Sequence, residues 1–385
     1  MFSSRLKWDL PPNPLSLLID EKRRAGGQIL DLTESNPTRA GIRYDPAILS
    51  ALADPAALRY DPSPLGLVGA REAVAHYYAE RGVSVDPSRI VLTASTSEAY
   101  SYLFKLLTDS GDEVLIPRPS YPLYEFLAAL ENVNLRAYPL RYDGIWHFDL
   151  DALEAAISAR TKAIVLVNPN NPTGSFLKRD EAERLQAIAA RRSVAILSDE
   201  VFSDYGFADD GARVSTLAAG DATLSFSMSG LSKVAGLPQM KLGWIVASGP
   251  GHREAIERLE WIADTYLSVG TPIQLALPRI MAASRDIQRQ IRERTAGNLR
   301  RLRQMASGSV AGVLSVEGGW YATLQVPSMR SEEAWATELL HEYDVLVQPG
   351  FFYDFESESF LVLSLLTEPD VFAEGVGRAL ACAGL

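Results

Sequence analysis

Residues 162–200 read KAIVLVNPNNPTGSFLKRDEAERLQAIAARRSVAILSDE, and this stretch decides the fold class. It opens on KAIVLVN (162–168), a short apolar run of the kind a fully buried strand shows. Pro169, Pro172 and Gly174 then enforce a turn. Residues 179–192 read as a helix, and VAILSDE (194–200) as the next strand. Strand, helix, strand in that order is the unit of a parallel sheet covered by helices.

The same alternation extends outward. Upstream, IVLT (90–93) predicts a strand, and residues 97–107 a helix with Ala99, Leu103 and Leu106 at helical spacing. EVLIP (113–117) predicts a strand, and YPLYEFLAALE (121–131) a helix. Downstream, TLSFSM (223–228) and LGWIVAS (242–248) are further strands. After residue 250 the pattern changes to long helices through about Gln304. WYATLQV (320–326), DVLVQ (344–348) and FLVLSLL (360–366) then suggest a smaller α+β unit. The expectation is an α/β chain with a mostly parallel sheet. Residues 1–45 are expected to form an N-terminal segment that completes the small domain. Residues 46–275 form the large domain, and residues 276–385 the small one.

Composition narrows the function classes. The 385 residues carry 37 basic and 48 acidic side chains, a formal charge of −11. Such a chain is a poor candidate for wrapping nucleic acid or an anionic membrane. The single cysteine, Cys382, cannot form an internal disulfide, which points to a reducing, cytoplasmic setting. His76, His147, His252 and His341 are scattered without metal-ligand spacing, so no metal is expected. The N-terminus lacks a signal-peptide pattern, and no apolar run approaches the ~18 residues that span a bilayer.

Four islands lie at the ends of predicted strands, where open α/β sheets place ligands. In TASTSEAY (93–100) a strand gives way to a helix, whose free N–H groups and dipole make a phosphate seat. Ser95, Thr96 and Ser97 add hydroxyls, and an ordinary helix cap is the plainer alternative. In LVNPNNPTG (166–174) Asn171 is placed to donate a hydrogen bond from a stiff loop, or is simply part of a loop. In LSDEVF (197–202) Asp199 ends an apolar strand and must find a partner, a structural salt bridge being the alternative. In SMSGLSKVAGLPQMKLGW (227–244) Lys233 follows small residues after a strand. It is one of seven lysines and is suited to a Schiff base with a carbonyl, unless it is a solvated surface lysine.

Together the islands are more specific than any one of them. Asn171 precedes Asp199 by 28 residues, and Asp199 precedes Lys233 by 34. The set resembles the fold-type I, pyridoxal-phosphate-dependent aminotransferase family of class I/II. PRPSYPLY (117–124), YDPSPLGLVGARE (60–72), GGWY (318–321) and QPGFF (348–352) look like further family elements. The resemblance covers nearly the whole chain. It implies the pyridoxal-phosphate-dependent transferase fold, with a seven-stranded type of sheet, and pyridoxal 5′-phosphate as cofactor. By the same resemblance Lys233 carries the cofactor and shuttles the proton, and Asp199 pairs with the pyridine nitrogen. Asn171 sits by the phenolic oxygen, and Tyr121 stacks on the ring. Ser95, Thr96, Ser97, Ser232 and Lys241 hold the phosphate. Tyr60 is lent to the neighbouring subunit, with further cross-subunit contacts from residues 268–271, so a homodimer is implied.

Three departures stand out. Phe202 replaces the tyrosine that bonds the phenolic oxygen. Lys241 replaces a phosphate-binding arginine, which keeps the charge but loses the fork. Val362 stands where the small-domain arginine grips the substrate carboxylate, and valine cannot replace a bidentate guanidinium. Arg39 and Arg43, in ESNPTRAGIR, are the candidate substitutes, ahead of Arg118 and Arg141; each also reads as a surface arginine. Aromatic residues Trp320, Tyr321 and 351–353 suggest an apolar pocket or simply core. The leading expectation is amino transfer between an amino acid or amine and a 2-oxo acid. The alternative is a lyase, decarboxylase or cyclase of the same fold, because the same carbanion serves all of them. A sensor domain of a transcription regulator is not expected, since the family-like region starts near residue 30 and leaves no room for a helix-turn-helix extension.

Overall fold

The computed structural model describes residues 2–6, 13–357 and 359–384. Its strands, in chain order, are β1 (Leu30–Asp31), β2 (Ile90–Thr93), β3 (Glu113–Arg118), β4 (Asn134–Tyr142), β5 (Trp146–Phe148), β6 (Thr161–Val167) and β7 (Ala195–Asp199). They continue with β8 (Ser225–Gly230), β9 (Gly243–Ser248), β10 (Gly312–Val313), β11 (Tyr321–Gln325), β12 (Val345–Leu346), β13 (Gln348–Pro349) and β14 (Phe360–Ser364).

The large sheet has the order β2-β9-β8-β7-β6-β3-β4-β5. Its centre, β8 through β4, is parallel, while β2, β9 and the short β5 pair antiparallel. The six strands read from the sequence are present, and β4 and β5 add two more at one edge as a hairpin. That hairpin was not expected, because Arg136, Arg141 and Tyr142 dilute the apolar signal of a strand whose outer part is exposed. The continuous apolar run of β6 follows from burial on both faces. Ala163, Val165 and Val167 pack into one layer with Leu103 and Leu197, while Ile164 and Leu166 pack into the other with Leu185 and Ile188. The helix Arg179–Arg192 between β6 and β7 begins where Glu181 accepts from the Lys178 N–H (2.8 Å), and ends at Ser193 in a left-handed conformation.

A second sheet, β10-β11-β14-β13, forms the C-terminal part. The expected strand 344–348 is divided. Val345 and Leu346 pair in parallel with β1 of the N-terminal segment, and Gln348 and Pro349 pair with β14. This split is how residues 30–31 are stitched to the C-terminal part. Ser364 Oγ adds a bond to Glu34 O (2.7 Å).

The helix Thr271–Ala306, 36 residues long, links the two sheets without a break. The expected boundary after residue 275 falls inside it. Gln274 accepts from the Leu67 N–H at its start, and Asn298 donates to Leu365 O and Thr367 O near its end. Among the described residues no helix is long and apolar enough to cross a membrane, and no group of metal-ligating side chains is found.

Candidate active site

Lys233 belongs to a four-residue helix, Leu231–Val234, directly after β8. Its ammonium lies 5.0 Å from the Trp320 ring centroid and 5.7 Å from that of Phe202. It makes no hydrogen bond or ion pair with any described residue. Burial pulls its pKa down from 10.5 to about 8, against the opposing charge of Asp199.

Asp199 closes β7. Its carboxylate accepts from the Val201 N–H (3.3 Å) and the Tyr100 hydroxyl (3.2 Å), which also contacts Tyr124 Oη (2.9 Å). Burial raises its pKa from 3.8 to about 6, and these two donors and Lys233 pull the other way. The structural salt bridge that the sequence left open is not formed among the described residues. The adjacent Glu200 is a different case. It accepts from Ser198, Ser227 and Thr216 hydroxyls and the Leu217 N–H, so it pins the 216–217 loop to the sheet.

The 168–175 loop is fixed from within. Asn168 donates to Val214 O (2.7 Å), and Asn170 Oδ1 accepts from Thr173 Oγ1 (2.9 Å). Gly174 has φ +70°, and a Cβ there would lie 2.5 Å from Gly318 O, so only glycine fits. This scaffold holds Asn171, whose Oδ1 is buried without a hydrogen-bond partner.

At the end of β2, Ser95 caps the helix Thr96–Leu107 by accepting from the Glu98 N–H (3.2 Å). The plainer reading of Ser95 as a cap therefore holds, and the cap itself leaves the amides of Thr96 and Ser97 without intrahelical acceptors. β9 runs against this turn. A Cβ on Gly243 would sit 3.1 Å from Ser95 C, Thr93 Oγ1 and Ser229 O. Lys241, two residues earlier, is exposed with φ 50°. Ser232 is half-buried beside Lys233. Tyr121 is half-exposed, and burial, followed by the charge of Asp199, pushes its phenol upward.

The small sheet supplies the opposite wall. Val362 lies in register with Thr323 on one side and Gln348 on the other, so the three share a face. Val362 is 1% exposed, Thr323 Oγ1 is buried without a partner, and Tyr353 Oη donates to Gln348 Oε1. The face carries no cation. Of the four arginines considered, Arg118 pairs with Asp354, and Arg141 with Asp149 and Glu356. Arg43 is held through its backbone by Gln290. Arg39 pairs with Glu34 (3.2 Å), and the charge of Glu34 reaches Tyr321. Tyr321 packs edge-on against Phe202, the ring beside Lys233. The Arg39 side chain is 70% exposed, and its link to Tyr321 is electrostatic, through Glu34, rather than a direct contact. Tyr60 is 77% exposed and shares a shallow hollow with Ser268, whose hydroxyl donates to Glu98 (2.6 Å).

Sequence reasoning missed Tyr100, which faces Asp199, and left Trp320 undecided between pocket and core. The one signal for Tyr100 was its place a turn into the helix that starts at the phosphate seat.

The model of the family described as aminotransferase class I and II matches residues 28–371. The chain belongs to that family. Glutamate-pyruvate aminotransferase AlaA of Haemophilus influenzae is 28% identical over 371 residues, 92% of this chain and 90% of that protein. Tyrosine aminotransferase of Bos taurus is 30% identical over 263 residues, but the match spans only 58% of its length. In architecture, an aminotransferase from Escherichia coli superposes with a TM-score of 0.87 at 24% identity, covering 100% of this chain and 98% of that one. The protein is a pyridoxal-phosphate-dependent aminotransferase acting on an amino donor and a keto acceptor. The comparisons do not favour the lyase, decarboxylase or cyclase alternative.

The residues present fit the cofactor. A half-buried lysine with no hydrogen bond or ion pair among the described residues, a half-buried carboxylate, the buried amide of Asn171 and a capped helix start stand at the same edge of the large sheet.

Proposed function

We propose that Lys233 is the lysine that anchors the cofactor and moves the proton at the donor's Cα. The observation that carries this is that Lys233 and Asp199, both half-buried at the ends of the neighbouring strands β8 and β7, each have a pKa displaced toward neutrality. With a pKa near 8, Nζ is able both to take and to release a proton close to neutral pH. The cofactor, when bound, supplies an electron sink for the electron pair freed at the donor carbon. Asp199 would accept from its ring nitrogen, and Tyr121 would cover its face. Asn171 would meet its phenolic oxygen. The amides and hydroxyls of Ser95, Thr96 and Ser97, with Ser232 and Lys241, would hold its phosphate. Trp320 and Phe202 exclude water from the lysine.

For the donor, Arg39 is the guanidinium best connected to the site, and we assign it the carboxylate of an amino acid. A second reading, a donor amine without an α-carboxylate, is favoured by the neutral face of Thr323, Val362 and Gln348. Exposure of Tyr60 beside Ser268 supports a homodimer in which Tyr60 reaches the partner's phosphate seat. The lone Cys382 supports a cytoplasmic location.

The deciding experiment mixes the cofactor-loaded protein with amino acids and with amines, and follows its visible absorption. Stoichiometric bleaching to the pyridoxamine form, reversed by a 2-oxo acid, is expected. Bleaching by amino acids, weakened in Arg39→Ala through KM, supports the first donor class. Bleaching by amines alone supports the second. Ammonia or carbon dioxide release with the absorption retained would overturn amino transfer.

A further inference from the structure

The helix that carries Lys233 is only four residues long, and beyond the Gly236 N–H that reaches Lys233 O (3.1 Å) the carbonyls at its end need further donors. Three side chains from distant parts of the chain supply them. Tyr205 Oη donates to Lys233 O (2.6 Å), Gln288 Nε2 to Val234 O (2.7 Å) and Tyr44 Oη to Gly236 O (2.7 Å). Tyr44 comes from the N-terminal segment, Tyr205 from the loop after β7, and Gln288 from the long helix Thr271–Ala306.

We propose that Tyr44, Tyr205 and Gln288 form a clamp that sets the position of the Lys233 side chain, with Tyr205 the principal positioning residue. The inference builds on the reading of Lys233 as the cofactor-bearing lysine. Among the described residues no hydrogen bond or ion pair fixes the tip of Lys233, so its direction comes from the backbone beneath and the rings beside it. Tyr205 acts on both. Its hydroxyl bonds the lysine's own carbonyl. Its ring packs edge-on against Trp320, 5.2 Å between centroids, and Trp320 is the ring nearest the ammonium. Gln288 is braced in turn. Its amide also donates to Asp204 Oδ2 (3.3 Å), a buried carboxylate held by Arg81 Nε (2.9 Å) and Tyr77 Oη (3.1 Å). A loose glutamine would let the turn drift, and this one is held from behind.

Tyr138 provides the internal control. Its hydroxyl donates to Val165 O at 2.7 Å, fully buried, on a strand of the large sheet. Tyr138→Phe and Tyr205→Phe therefore delete the same kind of bond. The test compares melting temperature, the kcat and donor KM, and the pH midpoint of the visible absorption of the cofactor-loaded protein. Both variants are expected to lose similar thermal stability. Only Tyr205→Phe is expected to lower kcat, by about tenfold at unchanged KM, and to move the absorption midpoint. Gln288→Leu is expected to reproduce that pattern. Wild-type kcat and midpoint in Tyr205→Phe and Gln288→Leu would overturn the clamp, as would identical changes in Tyr138→Phe. Borohydride reduction with peptide mapping separates the two levels. If the wild-type cofactor is not fixed on Lys233, the reading of the lysine fails and the clamp with it. If it is fixed there and the variants behave as wild type, the clamp alone falls.

Discussion

On the large-sheet side of the cleft, Lys233, Asp199, Asn171 and the turn at Ser95 each stand where a strand ends. On the small-sheet side, Thr323 and Val362 stand in mid-strand, and Gln348 in a two-residue strand beside them. The first set is held by turn chemistry that a short stretch of sequence contains: a Pro-rich loop, a Ser cap, small residues before a lysine. The second set takes its meaning from cross-strand neighbours some 15 to 40 positions away. The wall proposed to be catalytic is therefore polar, charged and legible, and the other face is neutral and depends on register.

The sharpest way to break this contrast is to remove its charged half. Lys233→Ala is expected to abolish covalent retention of the cofactor and lower kcat/KM by roughly 10⁴ or more, read by mass spectrometry and steady-state kinetics. Retained covalent attachment in this variant would sink the assignment.

Asp199→Asn comes next, with kcat expected to drop about a hundredfold. The same variant reports on pH. The folded-state pKa of Asp199 is about 6 against 3.8 for the free group, so the folded protein binds this proton more tightly. Its contribution to stability is whole below pH 4 and is lost as pH rises through 6. Two pKa units correspond to about 3 kcal/mol. The cofactor-free wild type is expected to lose that much relative to Asp199→Asn between pH 4 and 6.5, measured by denaturant unfolding. Parallel profiles would mean that the carboxylate is not buried as described.

The smallest effect sharpens the neutral wall. Val362→Arg is expected to cost roughly 1–3 kcal/mol of stability, because the site is packed. It is also expected to lower KM for α-amino acids by about tenfold, with amines unaffected. A folded variant with unchanged KM for both classes would show that the donor's carboxylate does not reach this face.

Much of the fold was legible because β6 and β7 are buried on both faces and carry apolar runs with little else. β4 and β5 were not, since an edge hairpin with one wet face reads as polar chain. The strand at 344–348 was seen as one element, yet it serves two sheets, a division that depends on partners 315 residues earlier and 14 later. In the site, the proposals for Lys233, Asp199 and Asn171 came from local sequence. Tyr205 and Gln288 were not, because a hydrogen bond to a backbone carbonyl leaves no motif. Of the arginines, Arg118 and Arg141 are occupied by Asp354, Asp149 and Glu356, pairings that only the folded chain reveals.

The helix Thr271–Ala306 bears on how the molecule comes to exist at all. At 36 residues it is about 54 Å long, and along it Gln274, Gln288 and Asn298 bond residues 67, 234, 365 and 367. Each of those bonds closes a loop of more than 50 residues. The cleft thus joins chain segments remote in sequence, and a cut at residue 275 would separate the lysine's turn from Gln288, which bonds it. The two sheets are tied by one rigid element and its side-chain bonds, so a strain applied to either is passed to the other along the helix.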